Sequence, residues 1–219
     1  MQRDDRPVAV LGATGYIGAR LVPRLTEAGW RVRAIGRNPD KLRGRRWGRD
    51  PLVEVAQGDV FDAAGLRACL TGCRAAFYLV HSMNAQQDDF SSADRVAARN
   101  MATAAAEAGL ERIIYLGGLG DDAAGLSHHL RSRHEVGQLL AGGSVPVTVL
   151  RAAMIIGSGS ASFEIMRYLV ERLPVMVTPR WIATPCQPIA VRNVLHYLVA
   201  CLDCAETIGE SFDLSLIHI

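Results

Sequence analysis

Short apolar runs and amphipathic stretches alternate along most of the chain. Residues 8–11 form a solidly apolar run that ends at Gly12, a pattern typical of a buried strand. Ile17, Leu21 and Leu25 then recur at the spacing of one helix face, before a glycine stop signal. By the same reasoning we predict further strands at residues 31–35, 53–56, 75–80, 112–116 and 145–150, and further helices at about 62–71, 88–108 and 128–142.

Strands that alternate with helices predict a fold of the α/β class. Such βαβ units join parallel strands by right-handed crossovers, and strands that are apolar throughout indicate a sheet covered on both faces. We therefore predict a doubly wound parallel sheet, the Rossmann fold, over residues 1–151. Residues 152–213 show a looser pattern, and we interpret them as a small substrate-side segment that completes the same domain. There we expect a helix at 163–172, an extended segment at 173–179 and a last amphipathic helix at 191–202.

The end of the chain has an unusual sequence. Residues 214–219 are the six amino acids that a transposon-end adapter used in sequencing libraries encodes. We therefore expect a non-native tail, native sequence that stops near Asp213, and a reading frame truncated by an assembly artefact. The alternative is a natural strand that ends at Ile219. No role is assigned to His218.

Composition excludes several classes of protein. Hydrophobic residues make up 49% of the chain, too many for a disordered protein. The formal net charge of +2 provides no general field for nucleic acid or anionic lipid. No apolar run approaches the ~18 residues that a membrane span needs, and residues 1–7 lack the apolar core of a signal peptide.

The five cysteines show no disulfide framework. We interpret them as buried thiols in a reducing compartment, and we predict a cytoplasmic protein without a metal site. The alternative is a zinc site built from two pairs, Cys69 with Cys73 and Cys201 with Cys204.

Residues 12–18 carry the strongest chemical signal, because they follow the first strand and open the first helix. Gly12 permits a tight turn, Gly15 lets the backbone approach a pyrophosphate, and Gly18 lets the helix pack on the sheet. The helix N-terminus offers free N–H groups and a partial positive charge to phosphates. The alternative is a strand–turn–helix with incidental glycines. We predict a dinucleotide-binding turn made of Gly12, Thr14, Gly15, Tyr16, Ile17 and Gly18.

This turn resembles that of the short-chain dehydrogenase/reductase superfamily, in its extended and atypical branches. Residues 78–83, 115–119 and 130–137 resemble the NmrA-like NAD(P)H-binding proteins of the atypical branch, which often carry an added C-terminal domain. The resemblance implies that Asp59 accepts a hydrogen bond from the adenine amino group and that Val60 packs on the adenine ring. It also implies that the nicotinamide ribose is lined by Leu79, Val80 and His81.

The end of the second strand indicates which nicotinamide cofactor is preferred. A site for NAD usually has an Asp or Glu about 20 residues after the turn, bonded to the ribose 2′-hydroxyl. Here Arg37 occupies the strand end, and its forked guanidinium suits a 2′-phosphate, with Lys41 or Arg33 as additional charges. Asp40 is better interpreted as part of a helix cap. We predict NADP(H) over NAD(H); the alternative is that Arg37 is a solvated loop charge.

A cluster of four further arginines lies just beyond this position, and it either extends the positive rim or forms a solvated face. Its members are Arg43, Arg45, Arg46 and Arg49.

The catalytic residues of the superfamily are replaced in this chain. Reductases of this kind use a Tyr as proton donor, a Lys four residues later and a Ser. The resemblance puts His129 at the Tyr position, Arg133 at the Lys position and the pair Gly117 and Gly118 at the Ser position. His129 titrates near neutrality and suits a general acid, whereas Arg133 holds a hydroxyl or phosphate but cannot shuttle protons. The alternative for His129 is a solvated histidine.

Two classes of function follow. The first is an NADP(H)-dependent oxidoreductase or isomerase that acts on an unknown small molecule held by residues 154–188. In that case Arg151 faces the cleft and Met176 and Trp181 line it; the alternative for Met176 and Trp181 is core packing. The second is a non-catalytic dinucleotide-binding sensor or assembly factor that reports redox state to a protein partner. Nucleic-acid binding has only the arginine cluster in its favour, and we do not expect it.

Overall fold

The computed structural model describes residues 5–81, 90–120, 128–172 and 187–214. Parallel strands form the centre of this part of the chain, and helices cover both faces. The strands are β1 (Val8–Leu11), β2 (Val32–Gly36), β3 (Val53–Gln57), β4 (Ala75–Tyr78), β5 (Arg112–Gly118), β6 (Val147–Ala152), β7 (Met154–Ile156), β8 (Pro188–Ala190) and β9 (Ser211–Leu214). The helices are α1 (Gly18–Glu27), α2 (Pro39–Arg43), α3 (Ala63–Leu70), α4 (Phe90–Glu107), α5 (His128–Ala141), α6 (Ala161–Arg172) and α7 (Val191–Ala200).

Within the described residues, seven strands form one sheet in the order β3-β2-β1-β4-β5-β6-β9, and every neighbouring pair is parallel. The chain reverses its direction of progress across the sheet between β1 and β4. A crevice therefore opens at their carboxyl ends, which is where open α/β sheets bind ligands. The predicted doubly wound Rossmann fold is confirmed.

Two apolar layers explain why the strands are apolar throughout. Val8 and Val10 face the layer that contains α1 and α7, whereas Ala9 and Leu11 face the layer that contains α3, α4 and α5. All four side chains are almost completely buried, and a fully buried Val or Leu contributes about 1.5–3 kcal/mol. The alternation along β1 therefore anchors both helical layers to the same strand.

Tertiary contacts create three strands that the sequence pattern does not predict. β7 and β8 pair with each other as a separate parallel ribbon, and β9 extends the main sheet beyond β6. Each has only three or four residues, so its pairing depends on distant partners rather than on a local pattern. β4 also ends at Tyr78 rather than at residue 80, so Leu79 and Val80 follow the strand instead of belonging to it.

The final segment is described only in part. Leu214 continues β9 and is buried, whereas residues 215–219 of the predicted tail lie outside the described residues, as does the expected extended segment at 173–179. None of the helices in the described ranges combines the length and the hydropathy that crossing a bilayer requires.

The alternative of a zinc site shared by two cysteine pairs is wrong. Cys69 and Cys73 pack in the layer of α3, α4 and α5, whereas Cys201 packs in the layer of α1 and α7. The sheet separates the two pairs, so they cannot bind one ion. Burial raises the pKa of Cys73 to about 11, so its thiol is protonated at neutral pH.

Candidate functional site

The glycine turn lies against the end of β4. Gly12 has a φ of +82°, and a Cβ placed on it would lie 2.6 Å from the carbonyl oxygen of Leu79. The N–H of Leu79 donates to the oxygen of Leu11 at 3.1 Å, which holds the two strand ends together. Glycine at this position therefore satisfies both a left-handed turn and a close backbone contact.

The turn presents backbone donors that no group in the described part of the chain accepts. The N–H of Gly15 donates to the oxygen of Gly12 at 2.9 Å and closes the turn. Within the described residues, the N–H groups of Tyr16, Ile17 and Gly18 donate to no acceptor, and no side chain caps α1. A Cβ on Gly15 would have a single protein atom within 4 Å, the oxygen of Gly12 at 3.2 Å. Free donors at a helix N-terminus beside an open glycine fit a pyrophosphate.

A second group of predicted residues lies after β3. The carboxylate of Asp59 accepts the N–H of Phe61 at 3.1 Å, and the amide of Asn100 on α4 donates to the oxygen of Val60 at 2.9 Å. Val60 is 8% exposed and packs in the layer of α3 and α4, whereas Phe61 is 49% exposed. Asn100 therefore fixes the segment predicted to bind adenine; the contacts of Asp59 and Val60 with the ring stay predictions.

The basic residues after β2 have different environments. Arg37 is exposed at the strand end, and its guanidinium has no hydrogen-bond partner in the described part of the chain. Asn38 caps α2 by accepting the N–H groups of Asp40 and Lys41 at 3.0 and 3.2 Å, and Asp40 lies in the capped first turn, in agreement with its interpretation as part of a helix cap. The side chain of Lys41, four residues after Arg37, is exposed.

Arg45 is the member of the arginine cluster that reaches the glycine turn. Its Nη2 donates to the carbonyl oxygen of Thr14 at 2.9 Å. The next turn of chain is anchored as well, because the indole N–H of Trp47 donates to the oxygen of Ala19 on α1 at 3.0 Å. The cluster is therefore more than a solvated face, since one of its charges touches the predicted dinucleotide turn.

Arg33 does not join this basic group. It forms an ion pair with Glu54 at 2.9 Å and donates to the oxygens of Cys69 and Thr71 at 2.8 and 2.7 Å. These contacts direct the guanidinium to the C-terminal carbonyl groups of α3. The interpretation of Arg33 as a supplementary 2′-phosphate ligand is therefore wrong.

The residues predicted to line the nicotinamide ribose follow β4 directly. Leu79 is buried in the layer of α1 and α7, Val80 packs against the opposite layer, and His81 is half-buried. Their backbone runs beside Gly12 at the crevice. The structure thus brings the β1 and β4 ends together, and the contact of each side chain with a ribose stays a prediction.

Helix α5 carries the two predicted catalytic residues. Nη1 of Arg133 lies 3.4 Å from the oxygen of Leu116 near the end of β5, while the hydroxyl of Tyr115 donates to the oxygen of Arg133 at 3.0 Å. His129 belongs to the first turn of α5, but its side chain lies outside the described residues. Burial raises the pKa of Tyr115, as is typical of a packed core residue rather than a proton donor.

The position expected to hold a catalytic serine is occupied by packing. A Cβ on Gly118 would lie 2.7 Å from Cδ2 of Leu130, and one on Gly117 would lie 3.1 Å from Cε1 of Tyr115. A hydroxymethyl group at residue 118 therefore requires Leu130 to move. The absence of serine here has a physical reason in the neighbouring side chain.

Arg151 forms an ion pair at the outer end of the sheet. Its Nε bonds to the carboxylate of Asp213 at 2.6 Å, and the two residues are register partners in β6 and β9. The partner of Arg151 therefore comes from β9, and its interpretation as a cleft residue stays a prediction. Met176 and Trp181 lie outside the described residues.

Comparison with known sequences decides the family. The NAD(P)H-binding family matches residues 12–167, from the glycine turn into α6. The chain belongs to the NAD(P)H-binding family. Its reductase-like relatives place it in the short-chain dehydrogenase/reductase superfamily, as the turn and the later segments predict.

Two proteins with similar sequences are reductases. The chain is 33% identical over 184 residues to (4-alkanoyl-5-oxo-2,5-dihydrofuran-3-yl)methyl phosphate reductase of Streptomyces griseus. The aligned part covers 80% of this chain and 60% of that protein. It is 32% identical over 117 residues to cinnamoyl-CoA reductase 1 of Oryza sativa subsp. japonica. There the aligned part covers 52% of this chain and 34% of that protein. The chain thus spans from about a third to three fifths of their lengths.

Solved structures share the fold of this NAD(P)H-binding protein. A nucleoside-diphosphate-sugar epimerase from Staphylococcus aureus is 20% identical with a TM-score of 0.78, over 95% of this chain and 71% of that one. Triphenylmethane reductase from Citrobacter sp., complexed with NADP(H), is 19% identical with a TM-score of 0.76, over 95% and 70%. At such identities the likeness shows the fold alone.

The sequence did not predict the contacts of two polar residues with the segments that form the candidate site in this NAD(P)H-binding protein. Arg45 reaches Thr14 across 31 positions, and Asn100 reaches Val60 across 40. The arginine cluster was a visible signal for Arg45, but its spacing does not reveal which arginine turns inward. No local pattern distinguishes Asn100 from other polar positions of α4.

Proposed function

We propose that this chain binds NADP(H) in preference to NAD(H), as the cofactor-binding part of an oxidoreductase or isomerase that acts on a small molecule. The observation that carries the proposal is the contact of Arg45 with the oxygen of Thr14, to which the exposed Arg37 adds a second cation at the end of β2, the strand beside β1. A guanidinium group on the glycine turn and another at the end of the neighbouring strand suit a 2′-phosphate, because each offers forked donors to phosphate oxygens.

The residues after β2 support the same preference by their charge. Gly36 and Arg37 occupy the strand end where an NAD site usually has a carboxylate for the 2′-hydroxyl. The one acid close in sequence, Asp40, forms an ion pair with Arg43 at 3.0 Å. Positive charge therefore dominates the place where the two cofactors differ.

When bound, the nicotinamide ring supplies the hydride or accepts it. In this proposal the N–H groups of residues 16–18 hold the pyrophosphate. Arg133 on α5, whose guanidinium lies near the end of β5, holds a ribose hydroxyl. His129, one turn earlier on α5, donates the proton, because histidine is the side chain that most often acts as a general acid. The reductase names of the relatives support this reaction class.

The test is a parallel titration of the purified chain with NADPH and NADH, followed by cofactor fluorescence. Arg37→Ala and Arg45→Ala should each weaken NADPH binding roughly 10- to 100-fold, the value of a charged hydrogen bond, and leave NADH binding nearly unchanged. Arg46→Ala is the matched control, because it removes the same charge from the neighbouring residue. Equal binding of both cofactors by the wild-type chain would refute the preference.

A non-catalytic dinucleotide-binding sensor is the second candidate, and one observation favours it. Leu130 fills the space at Gly118 that a catalytic serine needs. NADPH oxidation with a panel of small carbonyl compounds separates the candidates. Turnover that His129→Ala abolishes supports the enzyme, whereas tight NADPH binding without turnover supports the sensor and its protein partner. The cytoplasmic location stays a prediction from the sequence.

A further inference from the structure

Arg20 joins the dinucleotide turn to the segment that leads into α6. Its Nη1 donates to the carbonyl oxygen of Tyr16 at 3.0 Å, and its Nη2 donates to the carbonyl oxygen of Ser158 at 2.8 Å. The guanidinium carbon also lies 4.0 Å from the centre of the Tyr16 ring. The Arg20 side chain therefore binds both the turn and a residue 138 positions further along the chain than Arg20.

Tyr16 packs into the same junction. Its hydroxyl is buried and has no hydrogen-bond partner among the described residues. A Cβ placed on Gly157 would lie 2.5 Å from this hydroxyl and 2.6 Å from Cγ1 of Val191, the first residue of α7. The Tyr16 side chain thus packs closely against the loop after β7, beside the start of α7.

The loop of residues 157–160 determines where α6 begins. The hydroxyl of Ser160 donates to the oxygen of Ile155 at 2.8 Å, and the N–H of Gly159 donates to the carboxylate of Glu164 in the first turn of α6 at 3.1 Å. Arg20 holds the intervening residue, Ser158. A continuous chain of contacts therefore runs from the glycine turn to the first turn of α6.

We propose that Arg20 is a positioning residue that couples occupancy of the glycine turn to the position of loop 157–160 and the start of α6. A pyrophosphate that accepts the N–H of Tyr16 fixes the backbone of this residue. Arg20 donates to the carbonyl oxygen of the same residue. Arg20 then holds Ser158, so the substrate-side segment is set in place when the dinucleotide binds. This inference rests on the proposed dinucleotide binding.

Coupling between two sites is reciprocal, which gives the inference a measurable second consequence. If bound dinucleotide favours the held loop, the held loop must favour bound dinucleotide by the same factor. Arg20→Ala should therefore weaken NADPH binding about fivefold or more, although no bond from Arg20 to the cofactor is required. Arg20→Lys keeps the charge but lacks the fork for two carbonyls, and we expect an intermediate loss.

The decisive experiment is hydrogen exchange of the backbone amides of residues 157–172, with and without saturating NADPH. In the wild-type chain, NADPH should slow this exchange about fivefold or more, and Arg20→Ala should abolish the slowing. Arg24→Ala is the matched control, because Arg24 lies one turn later on α1 and pairs with Glu27 at the surface. It should behave like the wild type.

Each outcome decides the inference. Slowing that persists in Arg20→Ala, or no slowing in a wild-type chain that binds NADPH, overturns it and leaves the proposed cofactor binding intact. Absence of NADPH binding to the wild-type chain overturns the proposed function as well. If Arg20→Ala loses its fold, Gly157→Ala tests the junction from the loop side, and it should also abolish the slowing because its methyl group displaces the loop from Tyr16.

Discussion

Two glycine-containing segments end neighbouring halves of the sheet, and they differ in what surrounds them. At the end of β1, Gly15 faces open space, and three N–H groups beside it have no acceptor in the described part of the chain. At the end of β5, Gly117 and Gly118 lie under the side chains of Tyr115 and Leu130. The first glycines leave room for a ligand, whereas the second leave room for the protein itself.

The difference separates binding from chemistry in this molecule. The β1 segment keeps the features that a pyrophosphate needs, namely helix-end donors and a backbone without a Cβ. The β5 segment lacks the hydroxyl of the superfamily, and Leu130 occupies its place. Glycine therefore indicates a ligand site only where the neighbouring side chains stay away, and the sequence alone does not show which case holds.

The largest effect should come from Gly12→Ala. Its left-handed φ and its contact with the oxygen of Leu79 together should lower the free energy of unfolding by roughly 2–4 kcal/mol and abolish NADPH binding. Gly72→Ala is the matched control, since Gly72 has a φ of +78° with no atom within 4 Å of the added Cβ. It should cost about 1–2 kcal/mol in chemical denaturation and leave binding unchanged.

Gly118→Ser tests the packed segment. The added Cβ would lie 2.7 Å from Cδ2 of Leu130, so the leucine must leave its preferred rotamer, and we expect a loss of about 0.5–1.5 kcal/mol in the free energy of unfolding. A double-mutant cycle with Leu130→Ala checks the cause, because the serine should cost at least about 0.5 kcal/mol less once the leucine is truncated. Additive losses would show that Leu130 does not exclude the serine.

Gly15→Ala tests the open segment, and here stability and binding should separate. The methyl group meets only the oxygen of Gly12 at 3.2 Å, so the free energy of unfolding should change by less than about 1 kcal/mol. NADPH binding should weaken roughly 10-fold or more, because the methyl group stands where the pyrophosphate approaches. Unchanged affinity in a fluorescence titration would contradict a ligand at this turn.

The smallest effect should come from Tyr16→Phe. The change removes a buried hydroxyl that has no hydrogen-bond partner in the described residues, so the chain should gain up to about 1 kcal/mol in thermal or chemical unfolding. The ring remains under Arg20, and the NADPH-dependent protection of residues 157–172 should persist. A clear loss of stability would indicate that the hydroxyl has a partner in solution.

Much of the fold was readable because its signals are local. Apolar runs such as residues 8–11 and helical spacing such as that of α1 appear within a few residues, and the predicted strands and helices of the first 150 or so positions agree with the structure to within a few residues. β7, β8 and β9 were not readable, because strands of three or four residues owe their existence to partners far along the chain.

The sequence by itself determined the order of the elements, the glycine turn and the absence of an acid at the end of β2, since each is written in neighbouring residues. Only the tertiary structure decided which arginines belong to the site. Arg45 reaches Thr14, whereas Arg33 binds Glu54 instead. A long, flexible cation takes the nearest suitable acceptor, and packing between distant segments determines which acceptor is near.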